Sequence, residues 1–137
     1  MPLKMTPDLY WLVATAFMTA ILWIPYTLQL IAEMGAVPAF WDPYHDTPIK
    51  AAWAQRARRA HGNAVENLVV FAPLVLAVCL LGAGTALTAK ACAVFFLVRA
   101  AHYLVYTLGV PLVRTLLFLI GFVCQALLVT TLLGWIG

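Results

Sequence analysis

The sequence predicts an all-α integral membrane protein, a four-helix bundle of spanning helices. Three observations predict it. The 137 residues are 65% hydrophobic and 9% charged, where an ordinary soluble domain is about 45–50% apolar and about 25% charged. The mean hydropathy is +0.98. Most of the chain falls into apolar stretches near the ~20 residues needed to cross a bilayer as a helix. So few polar side chains cannot cover a water-soluble monomer, and a disordered chain has the opposite composition. Strands are excluded because no alternating period persists and an open sheet edge cannot sit in lipid.

The spans run from about Leu9 to Ala32, Ala51 to Leu81, Ala86 to Leu108 and Leu112 to Ile136, in a single domain over residues 1–137. Gly82-Ala83-Gly84-Thr85 separates the second and third spans, which predicts a tight helical hairpin. Gly109-Val110-Pro111 separates the third and fourth, with Pro111 suited to the first turn of a helix. Residues 34–50 hold Pro38, Trp41, Asp42, Pro43, Tyr44, His45, Asp46 and Pro48 and read as the one long loop, at the membrane surface. Pro25 and Pro73 fall inside spans, where each removes a backbone N–H and predicts a kink. The apolar N-terminal run is too long for a cleavable signal, and no small-residue cleavage site follows it.

Charge sets the expected orientation. Lys50, Arg56, Arg58 and Arg59 flank the first loop and Arg114 the third, against Lys4 and Lys90 on the other side. The positive-inside rule then places the first and third loops in the cytoplasm and both termini opposite. Tyr10, Trp11 and Trp135 lie at span ends, where aromatic rings are common. Eight Lys or Arg against five Asp or Glu, dispersed among apolar runs, offer no phosphate-tracking block and exclude nucleic acid as a partner. Cys79, Cys92 and Cys124 all lie in apolar runs and read as small core hydrophobes, not a disulfide framework.

Ionisable side chains at membrane depth mark functional sites, and here they cluster. At about 100° per residue, Arg56, Arg59, Asn63 and Glu66 fall within roughly 80° on the second span, while Arg58 and His61 point elsewhere. Arg99, His102 and Tyr106 fall within roughly 60° on the third. Arg114 and Thr115 open the fourth, just past the same turn. Guanidinium forks match carboxylates, Glu66 suits an ammonium and Asn63 a peptide amide. The set therefore fits a small ligand with several carboxylates, entering from the cytoplasm. A second reading stays open, in which Arg59, Glu66 and Arg99 pair with one another and only tie helices together. Metal binding is disfavoured, because His45, His61 and His102 lack ligand spacing. Haem between His61 and His102 is a further rival, weakened because His61 lies off the Asn63 face.

The run Arg56-Ala57-Arg58-Arg59-Ala60-His61-Gly62-Asn63-Ala64-Val65-Glu66-Asn67, with Phe71 and Pro73, resembles the helix 2 signature of the MAPEG family (membrane-associated proteins in eicosanoid and glutathione metabolism) in a member of bacterial type. Arg99-Ala100-Ala101-His102 with Tyr106 resembles that family's helix 3, and Pro111 with Arg114-Thr115 the start of its helix 4. The resemblance implies a homotrimer binding glutathione as co-substrate at subunit interfaces near the cytoplasmic face. It implies a glutathione transferase, with reduction of lipid hydroperoxides as an associated activity, acting on apolar substrates that arrive through the surrounding lipids. By matching position, Arg59, Asn63 and Glu66 hold glutathione from one subunit, and Arg99, His102, Tyr106, Arg114 and Thr115 complete the site from the neighbour. Arg56 is a further binding candidate. Arg114 and Thr115 are expected to stabilise the thiolate. The alternative within the same fold is a non-catalytic protein that binds a lipid or a membrane partner. Departures from the family pattern are Gly62, where several relatives carry Arg, and Phe118, where prostaglandin-making members carry Tyr. Gln29 and Glu33 stand late in the first span, where the eicosanoid enzymes carry a basic residue, so an eicosanoid synthase is disfavoured.

Overall fold

Thr6 opens the first span by accepting a hydrogen bond from the Leu9 N–H at 3.2 Å. Pro7 occupies the first turn and Asp8 adds a negative charge at the positive helix end. The resulting helix α1 (Pro7–Ile21) ends at a break and α2 (Ile24–Met34) follows it; together they form one span. The break falls at Leu22 and Trp23, whose backbone stays in the right-handed helical region, where Pro25 is expected to kink the span. Pro25 has no N–H for the Ile21 carbonyl, and the Tyr103 hydroxyl donates to the Leu22 carbonyl at 3.0 Å. The computed structural model describes residues 4–42 and 47–136; within the expected loop, Pro43, Tyr44, His45 and Asp46 lie outside the described residues.

Part of that loop is helical. Gly35, at φ +88°, turns the chain into the short α3 (Ala36–Phe40). The second span is α4 (Ala52–Leu80). Its N-cap is Ala51, which offers no side-chain cap, and Glu33 of α2 holds the chain just ahead of it. The Glu33 carboxylate accepts from the Lys50 N–H at 2.7 Å, the Ala51 N–H at 2.9 Å and the Gln29 amide at 3.1 Å. This ties the end of the first span to the start of the second. Helix α4 runs through Pro73 without interruption, so the expected kink there does not break it.

Gly82, at φ +62°, makes the following turn. Thr85 and Thr88 then form a reciprocal capping box, with bonds of 3.2 and 2.8 Å, that starts α5 (Ala86–Leu108). Gly109, left-handed at φ +80°, ends it, and Pro111 begins α6 (Pro111–Leu132). Helix α5 packs on α1, α4 and α6. Phe71 of α4 and Phe95 of α5 stack at 3.8 Å in the core, with Val75, Val78, Cys92 and Leu128 fully buried around them. Toward the arginine-rich end, Ala57, Ala60 and Ala64 give α4 a face of small residues against which Leu22 and Tyr103 pack. Large apolar side chains such as Phe17, Leu97, Leu104 and Phe122 face outward from the four spanning helices. Lipid tails are as apolar as these side chains, so close packing and polar contacts hold the spans together.

Replacing Glu33 with Ala leaves the Lys50 and Ala51 N–H groups, just ahead of α4, without their carboxylate acceptor. We expect a lower unfolding midpoint in detergent and faster hydrogen exchange at Lys50 and Ala51.

Candidate functional site

The site is built where α4, α5 and α6 meet below the Gly109 turn. Arg99 of α5 is buried, with 2% of its surface exposed. Its Nη2 donates to the Asn63 Oδ1 of α4 and lies 3.5 Å from His102 Nδ1, one turn on along α5. The aliphatic part of Arg99 lies against Gly121 of α6, where a Cβ would meet Arg99 Cδ at 3.7 Å. Arg99 Nε and Nη1 are enclosed and have no hydrogen-bond partner among the described residues.

Asn63 is held from a second direction. The Asn67 amide donates to the Asn63 carbonyl at 2.8 Å and approaches its Oδ1 at 3.4 Å. Gln125 of α6 donates to the Asn67 carbonyl at 3.2 Å. A polar ladder thus runs Gln125, Asn67, Asn63, Arg99, His102 across three helices. With Oδ1 engaged by Arg99, Asn63 keeps its Nδ2 as a donor for the groove beside it.

That groove, of about 260 Å³, is lined by Asn63, His102, Tyr106, Arg114, Thr115 and Phe118. Arg114 lays its guanidinium over the Tyr106 ring, with Cζ 4.4 Å from the centroid, a cation–π contact that holds it in place. Among the described residues its N–H groups have no hydrogen-bonded acceptor. The Tyr106 ring also meets the His102 ring edge-on at 5.7 Å. Thr115 donates its hydroxyl back to the Pro111 carbonyl at 3.2 Å, so a rotation is needed before that proton can serve a ligand. Two or three backbone-anchored donors, a cation and an aromatic ring facing one space can grip an anion and stabilise charge developing on it.

Five of the expected residues, Asn63, His102, Tyr106, Arg114 and Thr115, therefore share one groove within a single chain, with Arg99 behind them. Asn63 joins the helix 3 and helix 4 group within that chain, rather than standing apart from it with Arg59 and Glu66. Those two are exposed on α4 and make no ion pair, so the alternative in which Arg59, Glu66 and Arg99 bind one another is not realised among the described residues. Arg56 is a strut. Its Nε donates to the Thr107 carbonyl at 2.8 Å and its guanidinium lies across Gly109. His61 is hydrogen-bonded to Tyr26 at 2.8 Å and His102 turns toward Arg99, so the two imidazoles face different neighbours. Asn67, Gln125 and Gly121 were not singled out from sequence. Asn67 and Gln125 carried a readable signal, each being an amide inside an apolar run that must find a partner; Gly121 carried none.

Two outcomes follow from this packing. Gly121→Ala places its Cβ at ordinary contact distance and is expected to stay within about 0.5 kcal/mol of wild type, whereas Gly121→Leu displaces Arg99 and costs about 1–3 kcal/mol, both read from detergent unfolding curves. Arg56→Ala is expected to lower that midpoint by loosening the hold of α4 on the α5–α6 turn, at about 1–3 kcal/mol for a lost charged hydrogen bond.

No curated protein and no solved structure matches the chain. The model of the MAPEG family matches residues 8–134. The four apolar spanning helices make it a multi-pass integral membrane protein, and by this match over nearly its whole length the chain belongs to the MAPEG family.

Proposed function

We propose that the protein is a membrane glutathione transferase, with lipid hydroperoxide reduction as an associated activity. The observation that carries this reading is Arg114, clamped over Tyr106 at 4.4 Å with no hydrogen-bonded acceptor among the described residues, in a groove shared with Asn63, His102 and Thr115. Family membership supports it, as does the chemistry of the tripeptide. Glutathione carries two carboxylates for guanidinium groups, amides for Asn63 and an ammonium for Glu66. In this reading three copies assemble, and the site lies between neighbours near the cytoplasmic face, with both chain termini on the opposite side. Arg59 and Glu66, exposed on one chain, then reach the ligand together with the groove, and His102, Tyr106 and Arg99 shape its floor.

The catalytic work is charge stabilisation. A free thiol has a pKa of about 8.5, and a cation held beside the sulfur lowers it. Arg114 supplies the cation, and Thr115, once rotated off Pro111, donates to the sulfur. The thiolate attacks the electrophilic carbon of an apolar substrate entering from the bilayer, a carbon–sulfur bond forms, the leaving group departs with the bonding electrons, and the thiol proton has already gone to solvent. The protein contributes position and electrostatics and forms no covalent bond.

Calorimetry with glutathione, followed by conjugation of a simple aryl halide, tests the reading. Binding with turnover supports it. Binding without turnover favours the non-catalytic lipid- or partner-binding alternative, and no binding removes the transferase. Arg114→Ala is expected to lower kcat by about 10²-fold, in the range for losing one anion-stabilising group, with a smaller change in affinity; Glu66→Ala is expected to weaken affinity and leave kcat nearly intact. The pH profile supplies the sign. In wild type the rate rises with pH and levels off below about 8.5, and in Arg114→Ala the inflection moves up toward that value because the thiolate has lost its cation.

A further inference from the structure

Pro111 starts α6 but leaves the end of α5 with a defect. In an α-helix each carbonyl is paired by the N–H four residues on, and for Thr107 that position is Pro111, which has none. The turn satisfies the neighbouring carbonyls: the Gly109 N–H donates to Tyr106 at 3.0 Å and the Val110 N–H to Val105 at 3.1 Å. The Thr107 carbonyl needs a donor from another helix, and Arg56 of α4 supplies it through Nε at 2.8 Å. The guanidinium then lies across the turn. A Cβ at Gly109 would stand 3.2 Å from Arg56 Nε and 3.3 Å from Cζ, so the glycine that φ +80° already favours also makes room for the arginine.

This fastened point stands between the two members of the cation–π pair. Tyr106 immediately precedes Thr107, and Arg114 lies in the first turn of α6, three residues after Pro111. That turn has no side-chain cap at Val110, so its placement is inherited from the Gly109 segment. Asn63, which α4 contributes to the groove, lies seven residues beyond Arg56, about two turns along the same helix. Arg56 therefore spans the joint between the helix that brings Asn63 and the turn that brings Tyr106 and Arg114. It is not among the residues that line the groove.

We propose that Arg56 is a positioning residue of the groove: by holding the Thr107 carbonyl and the Gly109 turn, it fixes where Tyr106 and Arg114 stand relative to Asn63, and so how closely the Arg114 charge meets the sulfur. The proposal rests on the transferase reading and extends it to a residue that does not touch the ligand. It differs from the role implied by the family resemblance, in which Arg56 binds glutathione directly. An arginine whose Nε is spent on a backbone carbonyl and whose guanidinium covers a glycine is committed to the fold.

The test uses the full chain in detergent, with glutathione and a simple aryl halide. Arg56→Ala is expected to lower kcat about tenfold, less than the roughly 10²-fold cost of a full ångström of misplacement, with a smaller change in the KM for glutathione. In the Arg114→Ala background the same substitution is expected to change kcat by less than about twofold, because the group it positions is gone. Arg56→Lys keeps a donor for the carbonyl and is expected to recover most of the loss. Hydrogen exchange separates a local hold from general loosening, since turn amides exchange by local opening. Arg56→Ala is expected to speed exchange at Gly109 and Val110 and to leave Gly82 and Ala83, the bonded amides of the turn at the opposite end of α5, unchanged. Independent losses from Arg56→Ala and Arg114→Ala, a rise in KM with kcat unchanged, or equal acceleration at both turns overturns the proposal. If wild type shows no turnover, the transferase reading fails by itself and the exchange comparison still decides: acceleration confined to the Gly109 turn supports the hold by Arg56, and none there removes it.

Discussion

The guanidinium of Arg99 is buried among three helices, joined to Asn63 on α4 and His102 on α5, with its stem against Gly121 of α6. A charged side chain at membrane depth costs a few kcal/mol even when it can reach the interface, so its partners are not optional. Asn63 gives up its Oδ1 to Arg99 Nη2, Asn67 and Gln125 tie the Asn63 turn to α6, and Gly121 lies against the Arg99 stem. The relative rotation of α4, α5 and α6 at this end follows from that single requirement. So does the outward pose of the Asn63 amide, because its acceptor end is committed inward.

Inside a bilayer, apolar burial between helices contributes little, since lipid tails offer an equivalent environment. The bundle accordingly relies on other contacts. Phe71 and Phe95 stack at the core, alanines on α4 allow close approach, and polar side chains reach backbone carbonyls exposed where helices end or break. Tyr103 on the Leu22 carbonyl and Arg56 on the Thr107 carbonyl are two such contacts, and Glu33 performs the mirror task on the N–H groups just ahead of α4. Each satisfies a backbone group that lipid cannot. Two faces of one helix differ: the face of α4 toward α5 and α6 carries Asn63 and its groove, and the face toward α2 carries Arg58.

Some of the candidate groups, Arg56 and Arg99 among them, therefore serve as framework, and others line the groove. Arg56 belongs to the framework although its spacing puts it on the same stripe as Asn63. Arg114 remains open because an aromatic ring satisfies its charge without consuming its N–H donors, which is the advantage of a cation–π contact over an ion pair at a binding surface. Phe118 adds an apolar wall to the groove where a Tyr would have offered a hydroxyl, which suits an apolar second substrate better than a polar one.

Composition and periodicity alone determined the class, the four spans and the cluster at the arginine-rich end, because helical phase at 100° per residue is a local property and intramembrane charges are rare enough to stand out. The Pro-Thr-Gly punctuation of the second and third turns was equally local, and the helices begin and end there. Partnership was not local. Whether Arg99 pairs with Glu66 or with Asn63, and whether Arg56 faces a ligand or a carbonyl 51 residues away, depend on which group of another helix arrives at the same depth. The Asn63 amide and the Thr107 carbonyl meet those arginines only once the helices are packed.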